Sequence, residues 1–181
     1  MKQMAQVPDL NVWIKDDFLP NQAVLFDELR AAVDWDCSML ARKTASFGVP
    51  YNYSQMSYPA VKMPSMLVPV VAQLEAELDV LFNNCLLNFY ETGHNKMGFH
   101  ADDTTDLQPG TGVAIVSLGG MRKITYRRKK DPLNQRSFEL LPGSLLYMDA
   151  DVQLHWVHAI KRQTKATARI SLTWRAFNVV E

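Results

Sequence analysis

Residues 168–177 read ARISLTWRAF, the last of seven short runs in which apolar residues alternate with polar ones or follow one another directly. The six earlier runs are CLLNFY (85–90), VAIVSL (113–118), KITYRR (123–128), SFELL (137–141), SLLYMD (144–149) and LHWVHAI (154–160). Turn-forming residues separate the runs, among them Gly110, Gly120 and Gly143. Many short strands with such punctuation are typical of a β-sandwich or barrel. We therefore expect the chain from residue 84 onward to be mostly β-structure.

Two segments that precede these runs have apolar residues near helical spacing. Residues 21–34 begin with a plausible helix N-cap, Asn21, and residues 64–83 give a second amphipathic pattern. The apolar positions are Val24, Leu25, Leu29 and Val33 in the first segment and Leu67, Val71, Leu74, Leu78 and Leu81 in the second. Together the patterns predict an α+β fold, with N-terminal helices packed on a double-stranded β-helix (jelly roll). We expect one domain that covers residues 1–181.

The composition is that of an ordinary globular protein, with 48% hydrophobic and 21% charged residues and a net charge of zero. No window approaches 18 uncharged apolar residues, so we expect no membrane span. The first 18 residues lack the apolar core of a signal peptide. We therefore expect a protein that is cytoplasmic, or nuclear in a eukaryote, and not secreted. The zero net charge means that any nucleic-acid binding has to come from a local patch.

A histidine and a carboxylate stand two residues apart in the stretch FHADD (99–103). On a β-strand, His100 and Asp102 would point to the same face, where they could bind one metal ion together. A second histidine from LHWVHAI would complete the facial triad of non-haem Fe(II) oxygenases, which leaves positions open for a co-substrate and O₂. Zinc is the alternative metal for such ligands. Both His155 and His158 fit the third position, and the pattern alone does not separate them.

The final run carries two arginines, Arg169 and Arg175. A buried arginine needs an anionic partner, because an unpaired buried charge is costly. The planar guanidinium suits a carboxylate, which it binds through two parallel hydrogen bonds. The dicarboxylate 2-oxoglutarate would satisfy such a pair, and ordinary salt bridges are the alternative for each arginine taken alone.

Six segments follow one another in the order RKTASFGVPYNYS (42–54), NFYETGHNKMGFHADD (88–103), VSLGG (116–120), PGSLLYMD (142–149), HWVHAI (155–160) and ARISLTWR (168–175). In these segments the chain resembles the AlkB family of Fe(II)/2-oxoglutarate dioxygenases, whose best-known members repair alkylated nucleic acid. The resemblance covers about residues 42–175. It implies a dioxygenase that binds Fe(II), uses 2-oxoglutarate as its co-substrate and consumes O₂.

The resemblance also assigns residues to the metal and to the co-substrate. It implies that His158, rather than His155, completes the triad with His100 and Asp102, because family members place the distal histidine just before a small-apolar pair. Arg169 matches the arginine that grips the distal carboxylate of 2-oxoglutarate. The residues that the resemblance implies in co-substrate binding are Asn88, Tyr90, Arg169 and Arg175.

The same resemblance gives expectations for the substrate. Tyr51 and Tyr53 match the segment that shapes the substrate lid. Thr104 departs from the pattern, since many repair members have at this position an acid that helps to receive the damaged base. Asp103 and Asp106 are nearby acids that could take its place.

A basic run, MRKITYRRKKD (121–131), contains Arg127 and Arg128 among aromatic and apolar residues. Such a run suits phosphate contacts and base stacking, although a solvated turn is the plain alternative. From the resemblance we expect oxidative demethylation of N-alkylated bases in DNA or RNA, as in damage repair. We expect single strands to be preferred, because no segment is identifiable as a finger that pushes a base from its stack. We also expect a monomer. The alternative is a 2-oxoglutarate-dependent hydroxylase of a small molecule, lipid or protein, which the zero net charge and Thr104 favour.

Overall fold

Two antiparallel sheets form the framework of the computed structural model, which describes residues 4–7, 10–53 and 56–178, without the side chains of residues 52, 53 and 56. The larger sheet has the strand order β1 (Ala5–Gln6), β2 (Val12–Lys15), β11 (Leu145–Met148), β8 (Val113–Gly119), β13 (Arg169–Arg175), β6 (Asn84–Tyr90) and β3 (Lys43–Gly48). The smaller sheet has the order β10 (Gln135–Leu140), β9 (Arg122–Arg128), β12 (Trp156–Ile160) and β7 (Met97–His100). A separate hairpin joins β4 (Tyr51–Tyr53) to β5 (Met56–Tyr58).

Within the described residues, three helices accompany the sheets: α1 (Gln22–Ala32), α2 (Val68–Leu78), which follows a 3-10 turn at Ser65–Leu67, and α3 (Ala150–His155). The expected α+β fold with a jelly-roll core is confirmed. Among the helices of the described ranges, none has the length and apolar character that crossing a membrane requires.

Strand β13 lies inside the larger sheet, between β8 and β6, and is buried along its whole length. Side chains alternate between the two faces of a strand, so that one sequence can serve two environments. Ile170, Leu172 and Trp174 belong to the apolar cluster that also contains the buried residues of α1 and α2. The intervening residues line a pocket between the two sheets, and these are Arg169, Ser171, Thr173 and Arg175. The larger sheet is therefore a wall with an apolar side and a polar side.

A glycine at the end of β8 lets the start of β13 come close. Gly119 is paired with Arg169, and its φ of 77° lies in the left-handed region that side chains other than hydrogen disfavour. A Cβ placed there would lie 2.6 Å from the carbonyl oxygen of Ala168. The glycine therefore lets the backbone of β8 approach the start of β13. That start is Arg169, the first residue of β13 that lines the pocket.

The second helical segment differs from its prediction at both ends. The α-helix begins at Val68 rather than at residue 64 and ends at Leu78, where Asp79 adopts a left-handed conformation. Its buried residues are Val70, Leu74 and Leu78, so the inward face includes Val70 and leaves Val71 only partly buried. Leu81 lies beyond the helix and is 61% exposed. The prediction is wrong here because apolar residues keep a helical spacing past the turn at Asp79.

The first helix runs over most of the expected segment. Asn21 precedes it as expected, but its side chain makes no capping hydrogen bond. The buried positions are Leu25 and Leu29, whereas Val24 is 63% exposed. The helix therefore presents a narrower apolar stripe than the sequence pattern indicates.

We predict that Leu172→Ala lowers the free energy of unfolding by about 2–5 kcal/mol, because it removes a fully buried side chain from the helix-facing core. Denaturant unfolding followed by circular dichroism would measure the loss. Leu133→Ala is the matched control, because Leu133 is 93% exposed and should cost less than about 0.5 kcal/mol. Equal losses in the two variants would contradict the placement of the core.

Candidate active site

The pocket between the two sheets brings together most of the residues that the sequence patterns single out. The larger sheet contributes the polar side of β13 and inward residues of β6 and β8. The smaller sheet contributes residues of β7, β9 and β12. His100 is paired with His158 across β7 and β12, which places one histidine from each strand at the same level of the pocket.

His100, Asp102 and His158 form a metal-binding cluster. One possible ligand atom from each residue lies within 4.8 Å of the others. The ring centroids of the two histidines are 4.3 Å apart, and Nε2 of His158 is 3.6 Å from Oδ2 of Asp102. Two imidazoles and one carboxylate that converge in this way give the donor set of a facial triad.

The position of Asp102 differs from the expected one. Strand β7 ends at His100, so the carboxylate lies two residues beyond the strand rather than on it. The backbone N–H of Asp102 donates to Oε1 of Gln153 at 2.9 Å, and Nη2 of Arg175 donates to Oδ1 of Asp102. Side-chain contacts therefore set the direction of this carboxylate, since the strand ladder does not reach it.

The protonation states suit metal binding. Burial lowers the pKa of His158 to about 4, against the attraction of Asp102, so that its imidazole is neutral near pH 7. Burial alone would raise the pKa of Asp102, but the adjacent positive charge of Arg175 outweighs it, and the pKa of this carboxyl is lowered to about 2. Nδ1 of His100 lies 3.0 Å from the carbonyl oxygen of Gly98, which can only accept a hydrogen bond. That bond puts the proton on Nδ1 and leaves Nε2 free to bind a metal. The three residues fit a divalent ion such as Fe(II).

The structure separates the two candidate histidines of LHWVHAI. His155 is the last residue of α3, and its side chain is exposed. His158 lies on β12, is 5% exposed and belongs to the metal-binding cluster. The sequence pattern predicts one strand over this run, whereas its first two residues end a helix that the pattern does not reveal. This break turns His155 out of the pocket.

A buried positive charge lies in the pocket at Arg169, on the same side of β13 as Arg175. Arg169 is 1% exposed, and its Nη2 donates to Oγ of Ser117 at 2.9 Å. Within the described part of the chain, neither Nε nor Nη1 of Arg169 has a hydrogen-bond partner. Burial lowers the pKa of Arg169 to about 10, so that the side chain remains charged near pH 7. A buried guanidinium with two free donors fits an anionic ligand such as a carboxylate.

The other residues expected near the co-substrate also line the pocket. Oδ1 of Asn88 accepts a hydrogen bond from Nε of the buried Arg42 at 2.6 Å. The ring of Tyr90 lies 5.5 Å from the guanidinium carbon of Arg169 and 5.5 Å from that of Arg122. Asn88 and Tyr90 therefore link the pocket to two further arginines.

Arg122 belongs to the basic run of the sequence, but the structure does not place it on the surface. Its side chain is fully buried and donates to the carbonyl oxygens of Thr92, Asn95 and Lys161. Arg122 occupies an inward position of β9, with Ile124 two residues further along the same strand. In the sequence, the two-residue period of a strand, counted back from the apolar Ile124, predicts that the Arg122 side chain also points inward.

The residues expected to bind the substrate are more dispersed. Tyr51 lines the pocket, with its ring 5.0 Å from the guanidinium carbon of Arg175. Tyr53 is on β4, but its side chain lies outside the described part of the structure. Asp103 is exposed, and its Oδ1 accepts hydrogen bonds from the backbone N–H and hydroxyl of Thr105.

Arg127 and Arg128 lie on the outer end of β9 rather than in the pocket. The guanidinium carbon of Arg127 is 4.0 Å from the ring centroid of Phe99, which precedes the metal-binding His100. Arg128 is exposed and lines a surface recess with Arg136, His155 and Trp156. The basic run is therefore close to the metal-binding cluster along the strands but outside the cavity.

Comparison with known proteins gives one family. The family model described as "2OG-Fe(II) oxygenase superfamily" matches residues 19–175. The Homo sapiens protein "DNA oxidative demethylase ALKBH2" is 30% identical in an alignment that covers 83% of this chain and 67% of that protein. This chain thus spans about two thirds of the length of that relative.

Solved structures show the same fold. OsALKBH1 superposes with a TM-score of 0.70 at 16% identity and covers 96% of this chain and 100% of its own. A Pseudomonas putida prolyl-4-hydroxylase gives a TM-score of 0.60 at 12% identity, with 94% of this chain and 95% of its own covered. At these identities the two likenesses concern the fold alone.

We predict that His158→Ala weakens Mn(II) binding by more than about a hundredfold, because it removes one of three converging ligands. His155→Ala should leave the affinity unchanged, since that side chain is exposed outside the pocket. Isothermal titration calorimetry on metal-free protein would measure both. The assignment would be wrong if the His155 variant lost the metal and the His158 variant kept it.

Proposed function

Because the chain belongs to the 2OG-Fe(II) oxygenase superfamily and is AlkB-like, we propose that it removes alkyl groups from the nitrogens of nucleic-acid bases by oxidative demethylation. Membership makes the protein a dioxygenase that uses Fe(II) and 2-oxoglutarate, and the structure supplies the triad His100, Asp102 and His158. When bound, the iron supplies the activation of O₂, with 2-oxoglutarate as the source of two electrons, and the substrate C–H bond is hydroxylated.

The residues of the pocket would divide this work between the metal and the co-substrate. The triad would hold the iron by one face and leave its other positions free. Arg169 would bind the distal carboxylate of 2-oxoglutarate through the two donors that have no partner in the described structure. Arg175 would lie near the metal end, where it already contacts Asp102. Asn88 and Tyr90 would complete the side walls of the co-substrate site.

The buried charge of Arg169 is the single observation that carries the co-substrate assignment. Within the described residues, none of the salt bridges pairs a carboxylate with Arg169, although it keeps its charge. A buried charge without an ionic partner costs several kcal/mol, which an anionic ligand would offset. A dicarboxylate of suitable length would bind the metal with one end and Arg169 with the other.

A nucleic-acid substrate is supported by the surface next to the metal-binding cluster. Trp156 is paired with Arg128 and precedes His158 by two residues, which places this surface roughly 7 Å along the strand from a metal ligand. Arg127 and Lys161 both lie over the ring of Phe99, at 4.0 and 5.3 Å from its centroid. Basic groups interleaved with aromatic rings suit the phosphates and bases of a single strand.

The proposed substrate class rests on the relative from Homo sapiens, whose name describes a DNA oxidative demethylase. We infer that the present chain acts on DNA or RNA and prefers a single strand, because a base in a duplex must first leave its stack at a cost of a few kcal/mol. Tyr51 would shape the entrance to the pocket, where its ring lies against Arg175 and Phe177.

A second candidate function has one specific observation in its favour. Thr104, at the position where an acid would receive the base, carries no charge. The carboxylate of the neighbouring Asp103 already accepts hydrogen bonds from Thr105, so it is poorly placed to replace that acid. The fold also occurs in a prolyl-4-hydroxylase. In this alternative the protein hydroxylates a small molecule, a lipid or a protein with the same metal and co-substrate.

We predict that Arg169→Ala weakens 2-oxoglutarate binding by about 2–5 kcal/mol and leaves Mn(II) affinity nearly unchanged, because in this proposal the arginine binds the co-substrate and not the metal. Calorimetric titration of the Mn(II)-loaded protein would measure the co-substrate affinity. Arg162→Ala, at an exposed position, is the control for the loss of one positive charge. An unaltered 2-oxoglutarate affinity in the Arg169 variant would argue against the assignment.

We predict that single-stranded oligonucleotides with N-methylated bases release formaldehyde in the presence of Fe(II), 2-oxoglutarate and O₂, and do so faster than the same lesions in a duplex. Formaldehyde and the loss of the methyl mass would be followed together. If 2-oxoglutarate were consumed with a metabolite, lipid or peptide while every methylated oligonucleotide stayed intact, the hydroxylase alternative would replace the proposal.

A matched pair of variants tests whether the basic surface binds phosphate. The double change Arg128→Ala and Lys130→Ala should lower the slope of log affinity against log salt by about 0.7 for each single-strand phosphate that is no longer neutralised. The control is Arg30→Ala with Lys62→Ala, which removes the same charge at exposed positions elsewhere. Identical slopes in the two double variants would place the nucleic acid away from the hairpin of β9 and β10.

A further inference from the structure

Gln153 is a buried polar residue of α3 that the sequence patterns do not single out. It is 4% exposed and touches Asp102 at two points. Its Oε1 accepts the backbone N–H of Asp102 at 2.9 Å, and its Nε2 lies 3.4 Å from Oδ2 of the same residue. Nε2 also donates to Sδ of Met148 at 2.9 Å, which fixes the amide plane from a third side.

Asp102 needs such support because of its place in the chain. It follows the end of β7, so the ladder between β7 and β12 holds His100 and His158 but not the carboxylate between them. Arg175 reaches only Oδ1. Gln153 therefore holds both the backbone and the second carboxylate oxygen of Asp102.

Lys129 connects Gln153 to the hairpin of β9 and β10. Nζ of Lys129 donates to the backbone carbonyl oxygen of Gln153 at 2.7 Å. The backbone N–H of Lys129 donates to the carbonyl oxygen of His155 at 2.8 Å. These carbonyls end a helix, where a cation is favoured and the last acceptors lack partners within the helix. Both lysines are exposed, but Lys129 makes these two hydrogen bonds, whereas its neighbour Lys130 has no such contact in the described structure.

We propose that Gln153 is the positioning residue of the metal-binding carboxylate, and that Lys129 anchors it to the hairpin. The chain of contacts runs from β9 through Lys129 and Gln153 to Asp102. A shift of the hairpin relative to α3 would change the orientation of one metal ligand. This inference requires the metal site but not any particular substrate, so it stands or falls separately from the demethylase proposal.

The first test measures metal affinity rather than turnover. Gln153→Met keeps a similar volume and removes both hydrogen-bonding arms, and it should weaken Mn(II) binding by about 10- to 100-fold, as loss of outer hydrogen-bond partners of metal ligands does. Gln163→Met is the matched control, because Oε1 of Gln163 also accepts a backbone N–H, that of Lys123 at 2.7 Å, and Gln163 lines a surface recess rather than the pocket that holds the triad. It should bind Mn(II) like the unchanged protein.

Two further readouts distinguish positioning from general destabilisation. Amide hydrogen exchange of Asp102 in the metal-free protein should become faster in Gln153→Met, and should stay slow in Gln153→Glu, which keeps an acceptor. Gln153→Glu should nevertheless bind Mn(II) more weakly, because it loses the donor to Oδ2. The proposal is overturned if Gln153→Met binds Mn(II) normally, or if the losses of affinity follow the losses of melting temperature in all variants, Gln163→Met included.

The role of Lys129 is tested by two substitutions of equal charge. Lys129→Met should lower Mn(II) affinity measurably, within about tenfold, whereas Lys130→Met should not. Both remove one positive charge from the same hairpin, so that a purely electrostatic effect would be the same in the two variants. Equal Mn(II) affinities for the two variants would overturn the anchoring role of Lys129.

Discussion

Strand β13 is buried on both faces, and its two-residue period assigns every second side chain to a different environment. The apolar set packs with the helices, while Arg169 and Arg175 enter the space between the sheets, each with its guanidinium removed from water. A buried cation is stable only with anionic or hydrogen-bonding partners, so the two arginines constrain which side chains can surround them. Arg175 pairs with the carboxylate of Asp102, whereas Arg169 donates to Ser117 and, in the proposed function, would bind a carboxylate of the co-substrate. The site is therefore a consequence of how one central strand divides its residues.

The features that follow a regular period are predictable from the sequence. Alternation identifies the strands and the inward arginines, and the paired histidines lie where β7 and β12 meet. Strand spacing predicts Asp102 as a ligand, but Asp102 lies beyond its strand and is directed by Gln153, a residue 51 positions away in the chain. Helix α3 escapes prediction because its six residues run into a strand without punctuation. Contacts of this kind depend on tertiary packing and leave no local pattern.

The structure supports the metal and co-substrate chemistry more directly than it identifies the substrate. The pocket encloses the metal-binding triad and a buried cation, and these match what the family needs for its metal and co-substrate. The fold is shared with a prolyl-4-hydroxylase, so that the sheets alone do not select a base over a peptide. In the proposed function, substrate selection would depend on the outer ends of the strands, where Phe99, Arg127 and Trp156 lie near the metal ligands.

The two free donors of Arg169 have a thermodynamic consequence for the whole chain. A ligand that binds only the folded state stabilises it by RT ln(1 + [L]/Kd), which is about 2.7 kcal/mol at a hundred times Kd. For this protein that ligand would be the dicarboxylate which neutralises a buried charge. The lifetime of the folded protein in a cell would then rise and fall with the supply of 2-oxoglutarate. A shortage of the metabolite would reduce the amount of enzyme as well as its turnover.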